Sequence, residues 1–145
     1  MLRGSYLATV DEKGRVKIPA DFLEQLRKLG RKFYVTSASG DHVRIYPMKE
    51  WERIEDALAK RPSFDATKRK FLERANYFGQ VVEVDGQGRL LIPPVLRESA
   101  EMKGEVDVQG ALRHLEVWNH IRFLERLKSN PITAEDEKAF GDLGV

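Results

Sequence analysis

The start of the chain alternates loosely between apolar and polar positions on either side of a short glycine turn. Residues 4–10 are rich in Tyr, Thr and Val, a composition typical of a β-strand. Lys13-Gly14 follows, and glycine accepts the positive φ that a tight hairpin turn requires. Val16-Lys17-Ile18 returns as a second strand. The pattern therefore predicts a β-hairpin at the beginning of the chain.

A helical pattern and a second hairpin follow. Pro19 suits an early helical position, where its missing N–H leaves no hydrogen bond unmade. Gly30 stands where a glycine commonly ends a helix. Between them, four apolar residues recur at helical spacing, namely Phe22, Leu23, Leu26 and Leu29. Residues 33–36 and 42–46 are then predicted as two paired strands.

The middle of the chain is charged and predicted to be helical. Two amphipathic faces are marked, the first by Trp51, Ile54 and Leu58 and the second by Phe71, Leu72 and Ala75. Beyond them, the predicted elements are strands over 78–84, 105–109 and 113–118, a short helix over 95–100, and a closing helix capped by Asn119 that carries Ile121, Leu124 and Leu127. No element is predicted after Pro131, where the sequence is acidic and weakly patterned.

The most informative feature is a repeat. Residues 10–19, VDEKGRVKIP, return as residues 84–93, VDGQGRLLIP, with a constant offset of 74. Residues 42–47, HVRIYP, return loosely as residues 114–119, HLEVWN, with an offset of 72. No nucleophile and base recur as a pair, so a duplicated binding surface explains the repeat better than a duplicated active site.

The repeat predicts an α+β fold, mainly β, built from two units. Residues 4–48 are the first unit, 49–77 a helical connection, 78–120 the second unit, and 121–145 a closing helix and tail. Units of about forty residues are marginally stable alone, so the two are expected to share one core.

Composition narrows the class of protein. The chain has 145 residues, 41% of them hydrophobic and 33% charged, and no Cys, which excludes disulfides and cysteine zinc sites. No signal peptide or membrane span is recognisable, so a cytoplasmic protein is expected. Residues 1–80 hold 17 Lys and Arg against 11 Asp and Glu, and residues 81–145 hold 8 against 12. Such asymmetry fits a polyanionic partner for the first half, although solvated helix faces explain it equally well.

The candidate DNA-binding residues are cations at or beside the repeated turns, together with Arg3, which lies just before the first strand and could join the same surface. Arginine offers a planar fork of donors for phosphate oxygens or the edge of guanine. The predicted contacts are Arg15, Lys13, Arg89, Lys17 and Arg3. The predicted loop-supporting residues are Asp11, Gly14, Asp85 and Gly88, in which each carboxylate pins the turn or orients the arginine. An ordinary Asx turn and a solvent-facing arginine are the competing interpretations.

Other kinds of chemistry find no support. The three histidines lack metal-ligand spacing, and no phosphate-cradling or nucleophile motif is present. No enzyme, cofactor or metal is therefore expected. Two alternatives to a DNA-binding regulator are a protein-interaction module and an antidote-like module that neutralises a toxin.

Together, these residues resemble the MraZ family of bacterial transcriptional regulators. The resemblance rests on Arg3-Gly4, on Asp11-x-Lys13-Gly14-Arg15-x-x-Ile18-Pro19, on its repeat from Asp85 to Pro93, and on Glu116-Val117-Trp118. It covers roughly residues 1–125. The family often has a histidine where this chain has Ala8, and no counterpart of the tail at 140–145 is expected.

The resemblance implies a fold, partners and a location. The fold is two tandem AbrB/SpoVT-like swapped-hairpin units packed as a pseudo-dimer with accessory helices. The implied partners are double-stranded DNA, bound at short direct repeats upstream of the chain's own division and cell-wall operon, and further copies of itself in a ring-like homo-oligomer such as an octamer. The implied action is repression, at the nucleoid, through the loops Asp11–Arg15 and Asp85–Arg89.

Overall fold

The computed structural model describes residues 1–145, which form eight β-strands and six α-helices. The strands are β1 (Ser5–Val10), β2 (Arg15–Lys17), β3 (Lys32–Thr36), β4 (Val43–Pro47), β5 (Gln80–Glu83), β6 (Arg89–Leu91), β7 (Gly104–Gly110) and β8 (Leu115–Asn119). The helices are α1 (Ala20–Arg27), α2 (Met48–Ala59), α3 (Ala66–Phe78), α4 (Pro94–Ser99), α5 (His120–Ser129) and α6 (Ala134–Ala139), and a 3-10 turn, Gly141–Leu143, follows α6.

All eight strands belong to one sheet, in the order β5-β3-β4-β8-β7-β1-β2-β6. The first strand of each unit pairs with a strand of the other unit. β1 of the first unit pairs with β7 of the second, and β5 of the second unit pairs with β3 of the first, both antiparallel. The two ends of the sheet, β5 and β6, are consecutive in the chain and approach each other, so the sheet nearly closes into a barrel. The exchange confirms the predicted α+β fold of two swapped-hairpin units.

A pseudo-two-fold relation connects the units. The equivalent strands β2 and β6 pair antiparallel with Val16 opposite Leu90, which are 74 residues apart. The equivalent strands β4 and β8 pair antiparallel with Arg44 opposite Glu116, which are 72 residues apart. Equivalent strands of the two units therefore pair at two places, β4 with β8 in the middle of the sheet and β2 with β6 at one end of it.

Both units contribute to one hydrophobic core. Twenty buried apolar residues form a single cluster, as the small size of each unit predicted. Among its fully buried members are Val16, Ile18 and Leu26 from the first unit and Leu90, Ile92 and Leu96 from the second. A smaller cluster of Tyr46, Trp51 and Ala75 lies where α2 and α3 pack on the sheet. Burial of apolar surface therefore stabilises the two units together.

The closing helix differs in part from the prediction. Asn119 caps α5 as expected, and its side chain accepts a hydrogen bond from the Arg122 N–H. The apolar residues that marked this helix in the sequence, Ile121, Leu124 and Leu127, are exposed, and the buried member of the helix is Phe123. Periodicity alone finds an apolar stripe, but it does not say whether the same chain covers it.

Two further boundaries differ. Phe78, expected at the start of a strand, ends α3, and β5 begins at Gln80. α6 lies in the tail where no element was predicted, and it begins with a capping box in which Thr133 and Asp136 bond each other's backbone N–H. This helix has only six residues and little apolar pattern, so its capping is the feature that marks it.

Candidate nucleic-acid interface

The first repeated loop joins β1 to β2. The Asp11 N–H donates to the Arg15 carbonyl at 2.9 Å, and the Gly14 N–H donates to the Asp11 carbonyl at 2.9 Å. Gly14 has a φ of +81°, a left-handed conformation that glycine adopts without steric penalty. The backbone hydrogen bonds and the conformation of Gly14 therefore fix the shape of the tip independently of side-chain contacts.

The Asp11 carboxylate holds both the turn and the arginine. Its Oδ1 accepts hydrogen bonds from the N–H groups of Lys13 at 2.9 Å and Arg15 at 3.0 Å. Its Oδ2 accepts from Arg15 Nε at 2.8 Å. The hydrogen bond from the Arg15 N–H holds the pKa of the Asp11 carboxyl below its ordinary value, and the Arg15 guanidinium lowers that pKa further. One side chain thus makes an Asx turn and orients the arginine.

The second loop repeats this geometry between β5 and β6. Asp85 Oδ1 accepts from the N–H groups of Gln87 at 2.8 Å and Arg89 at 2.9 Å, and Asp85 Oδ2 accepts from Arg89 Nε at 2.9 Å. Gly88 has a φ of +75°. The pKa of Asp85 is also lowered, chiefly by the Arg89 N–H. The repeated residues therefore make the same hydrogen bonds in both loops.

The two loops lie side by side. The Ile18 N–H donates to the Gly88 carbonyl at 3.0 Å, and the Ile92 N–H donates to the Gly14 carbonyl at 2.9 Å. Arg89 Nη1 lies 3.7 Å from Asp11 Oδ2, so a charge of one loop reaches the carboxylate of the other. These two hydrogen bonds and the contact between charges join the two hairpin tips into one surface.

Each arginine keeps donors available at this surface. The side chains of Arg15 and Arg89 are 29% and 24% exposed. In both, Nε is bonded to the aspartate four residues earlier, and neither the Nη1 nor the Nη2 group donates a hydrogen bond within the chain. A guanidinium held at Nε presents its Nη edge in a fixed orientation, which suits a phosphate oxygen or a base edge.

The other predicted cations are distributed unequally. Lys13 is exposed at the first tip. Lys17 Nζ donates to the Gln87 carbonyl, so this cation from the first unit sits against the second loop. Arg3 lies at the opposite end of β1, beside the connection between β7 and β8, where the Gly110 N–H donates to the Gly4 carbonyl. With the rise per residue of a β-strand, the length of β1 places Arg3 roughly 20 Å from the loop. Arg3 therefore does not join this surface.

Sequence reasoning missed two residues that support the tips. The Arg97 side chain packs directly against Gly14, and Leu23 packs directly against Gly88. Arg97 Nη2 donates to the Ile92 carbonyl at 3.2 Å, while its buried Nε has no partner. Leu23 and Arg97 are themselves 74 residues apart, so extending the repeat by four positions would have revealed the pair. Arg97 adds a further cation beside the first loop.

The remaining chemistry of the chain is limited. No group of three or more His, Asp or Glu side chains is arranged to hold a metal ion. None of the helices is both long and apolar enough to cross a lipid bilayer. The paired tips, with their oriented guanidinium groups, are the site whose geometry fits an anionic partner.

Comparisons with known proteins agree with this picture. The model of the family described as "MraZ protein, putative antitoxin-like" matches residues 1–74 and again residues 79–143. The chain is 48% identical over 146 aligned residues to the transcriptional regulator MraZ of Acidobacterium capsulatum, and 50% identical over 147 to that of Koribacter versatilis, with the whole of both chains covered in each case. It is 36% identical to the one from Caldicellulosiruptor saccharolyticus, with 93% of this chain and 92% of the relative covered.

These matches correct one expectation. The resemblance was expected to end near residue 125, without a counterpart for the tail. The family model instead extends to residue 143, and the two relatives align over the full length.

Proposed function

This chain belongs to the MraZ family of transcriptional regulators, and on that premise we propose that it binds specific DNA sequences through its paired hairpin tips. The observation that carries the proposal is the pair of loops in which Asp11 and Asp85 orient Arg15 and Arg89 on one surface. The family also bears out the expectation that the chain is not an enzyme, because its relatives are named as regulators.

The first tip is the stronger DNA contact in this proposal. It carries Lys13 and Arg15, and Arg97 lies directly beneath it. At the positions that match Lys13 and Arg97, the second tip has Gln87 and Leu23. The second tip has Arg89 and the Lys17 ammonium that lies against it, so three cations stand at the first tip and two at the second. Phosphate affinity grows with the number of cations that displace counterions, so the first tip is expected to bind DNA more strongly.

Self-assembly completes the proposed mode of binding. One pair of tips contacts only a few phosphates and base edges. Several identical pairs on one ring-like homo-oligomer, such as an octamer, would engage short direct repeats together, and each contact would raise the effective concentration for the next. The proposed target is the DNA upstream of the chain's own division and cell-wall operon, at the nucleoid, where binding would repress transcription.

A mobility-shift titration at two salt concentrations tests this function. We expect the upstream DNA to bind more tightly than random DNA, and the logarithm of the binding constant to fall linearly with the logarithm of salt, with a slope of about −0.9 per phosphate contacted. Equal affinity for random DNA would contradict sequence-specific binding. A shallow slope would instead favour a protein-interaction or antidote-like module, which the family description keeps as the second candidate.

Replacing Asp11 with Asn tests whether the carboxylate acts through the arginine. Asp11→Asn can keep an acceptor for the turn amides, but it removes the charge that holds Arg15 Nε. We expect affinity for the upstream DNA to fall about tenfold, because an unfixed guanidinium loses part of its bidentate contact. Titration by fluorescence anisotropy measures the change.

The matched control is Glu12→Gln in the same loop. Glu12 is an exposed carboxylate that makes no hydrogen bond or ion pair within the chain. Simple electrostatics predicts that removing either negative charge strengthens DNA binding. Weaker binding by Asp11→Asn with equal or stronger binding by Glu12→Gln would therefore identify positioning. Stronger binding by both would contradict it.

A further inference from the structure

Helix α5 presents three of its apolar residues to solvent. Ile121, Leu124 and Leu127 are 68%, 45% and 55% exposed and form a continuous stripe, here named the outer face of α5. Two arginines lie on the other side, where Arg122 donates to the carbonyls of Asp41 and Ser99 and Arg126 stacks over the Trp118 ring at 5.0 Å. The helix thus places its arginines against the protein and its aliphatic residues in water.

The equivalent helix of the first unit has the opposite polarity. α2 follows β4 as α5 follows β8, with an offset of 72, so the buried Trp51 corresponds to the buried Phe123. The outer face of α5 corresponds to Lys49, Glu52 and Glu55 of α2, all of them exposed and charged. Conversely, the partly buried Ile54 of α2 corresponds to Arg126. Comparison of the two equivalent helices therefore shows that only the second unit has an exposed apolar face at this position.

The chain carries a second apolar surface without a partner. Residues 131–145, here named the C-terminal arm, contain Ile132, Phe140, Leu143 and Val145, which line one shared cavity with Asp136 and Glu137 at its rim. Every residue from 124 onward is exposed, so the arm packs against no other part of its own chain. Contiguous exposed apolar surface of this kind marks an interaction site.

We infer that the C-terminal arm of one copy binds the outer face of α5 of a neighbouring copy. Both surfaces are apolar, so aliphatic side chains of the outer face of α5 can be buried against the apolar cavity of the arm. The charges agree as well, since Lys128 follows Leu124 by four residues and so lies on the same side of α5, while the arm holds four acidic side chains and one Lys. This inference rests on the proposed self-assembly and identifies the contact that would build it.

Helix α5 ends before the arm begins. Asn130 lies outside the helical region, with φ −134° and ψ 59°, and Pro131 disfavours a helical conformation in the residue before it. An arm that leaves one copy and an outer face that receives the arm of the next form a head-to-tail contact. Repeated contacts of this kind close into rings when the rotation between copies permits.

Site-directed cross-linking tests the contact, helped by the absence of native Cys. Chains with Leu124→Cys and chains with Phe140→Cys, carrying tags of different mass, are co-expressed and oxidised or treated with a short bismaleimide. We expect a mixed dimer that contains both tags. Co-expression of Leu124→Cys with Lys60→Cys, which is exposed at the end of α2, should give no mixed dimer.

The outcomes separate the arm from self-assembly. Absence of the mixed dimer in a protein that still assembles overturns the arm contact and leaves self-assembly intact. A third chain carries both Leu124→Cys and Phe140→Cys, and a cross-link that forms only within that chain has the same meaning. If light scattering gives the mass of a monomer for the wild type, both the arm contact and the proposed self-assembly are overturned. Phe140→Ser gives a second measurement, because Phe140 packs on no other part of its own fold, and the variant should melt like the wild type but assemble into smaller species. Unchanged assembly mass contradicts the inference.

Discussion

Arg15→Ala is expected to abolish specific DNA binding while the protein keeps its fold. The guanidinium is held at Nε by Asp11 and presents its Nη groups without an internal partner. A bidentate arginine contact contributes about 1–3 kcal/mol to discrimination between bases. In an assembly that presents several copies of the tip, this loss is repeated at every contact. Affinity should therefore fall by at least about a hundredfold, measured by fluorescence anisotropy on the upstream DNA.

The control for this variant is Arg69→Ala. Arg69 also pairs with a carboxylate four residues away, since its Nε lies 3.1 Å from Glu73 Oε1, but it stands on the exposed surface of α3 and belongs to neither tip. Its removal should leave affinity within about twofold of the wild type, as expected for a solvent-screened surface charge outside the contact. If Arg15→Ala and Arg69→Ala weakened binding equally, only general charge would matter and the tip would have no special role.

Arg15→Lys separates geometry from charge. Lysine keeps the positive charge but presents a single point donor in place of a planar fork. We expect binding to random DNA to survive largely unchanged, whereas the preference for the upstream sequence should fall. Full specificity in Arg15→Lys would indicate that Arg15 contacts phosphate alone.

Local pattern predicted the hairpins, but it could not predict their partners. The alternation of residues 4–10 and the glycine at position 14 gave the first strand and its turn, as β1 and the tip at Gly14 show. The exchange of β1 and β5 between units came from the family resemblance. Alternation along one strand fixes which face is buried, and it says nothing about which distant strand completes the ladder.

The same limit explains what was missed at the site. The repeated aspartates and arginines were visible because they act within five-residue segments. The support from Arg97 and Leu23 was not, because each residue reaches the tip of the other unit. Similarly, the stripe on α5 was found as a pattern, but its exposure depends on the body of the protein lying on the other side of the helix.

Leu90→Ala should destabilise both units in a single transition. Leu90 lies opposite Val16 where β2 and β6 join the units, and its side chain is fully buried. Removing a buried leucine side chain in this way costs about 2–5 kcal/mol of unfolding free energy, which lowers the melting temperature by on the order of 10 °C in a chain of this size. Leu91→Ala is the matched control. Leu91 is the next residue on β6 and is 40% exposed, so the melting temperature of this variant should hardly differ from that of the wild type.

Since one core spans both units, calorimetry should record a single cooperative peak for the wild type and for Leu90→Ala. Two separate peaks in Leu90→Ala would mean that the units fold independently, and the swapped sheet would then not be the structure that holds the two DNA-facing tips together.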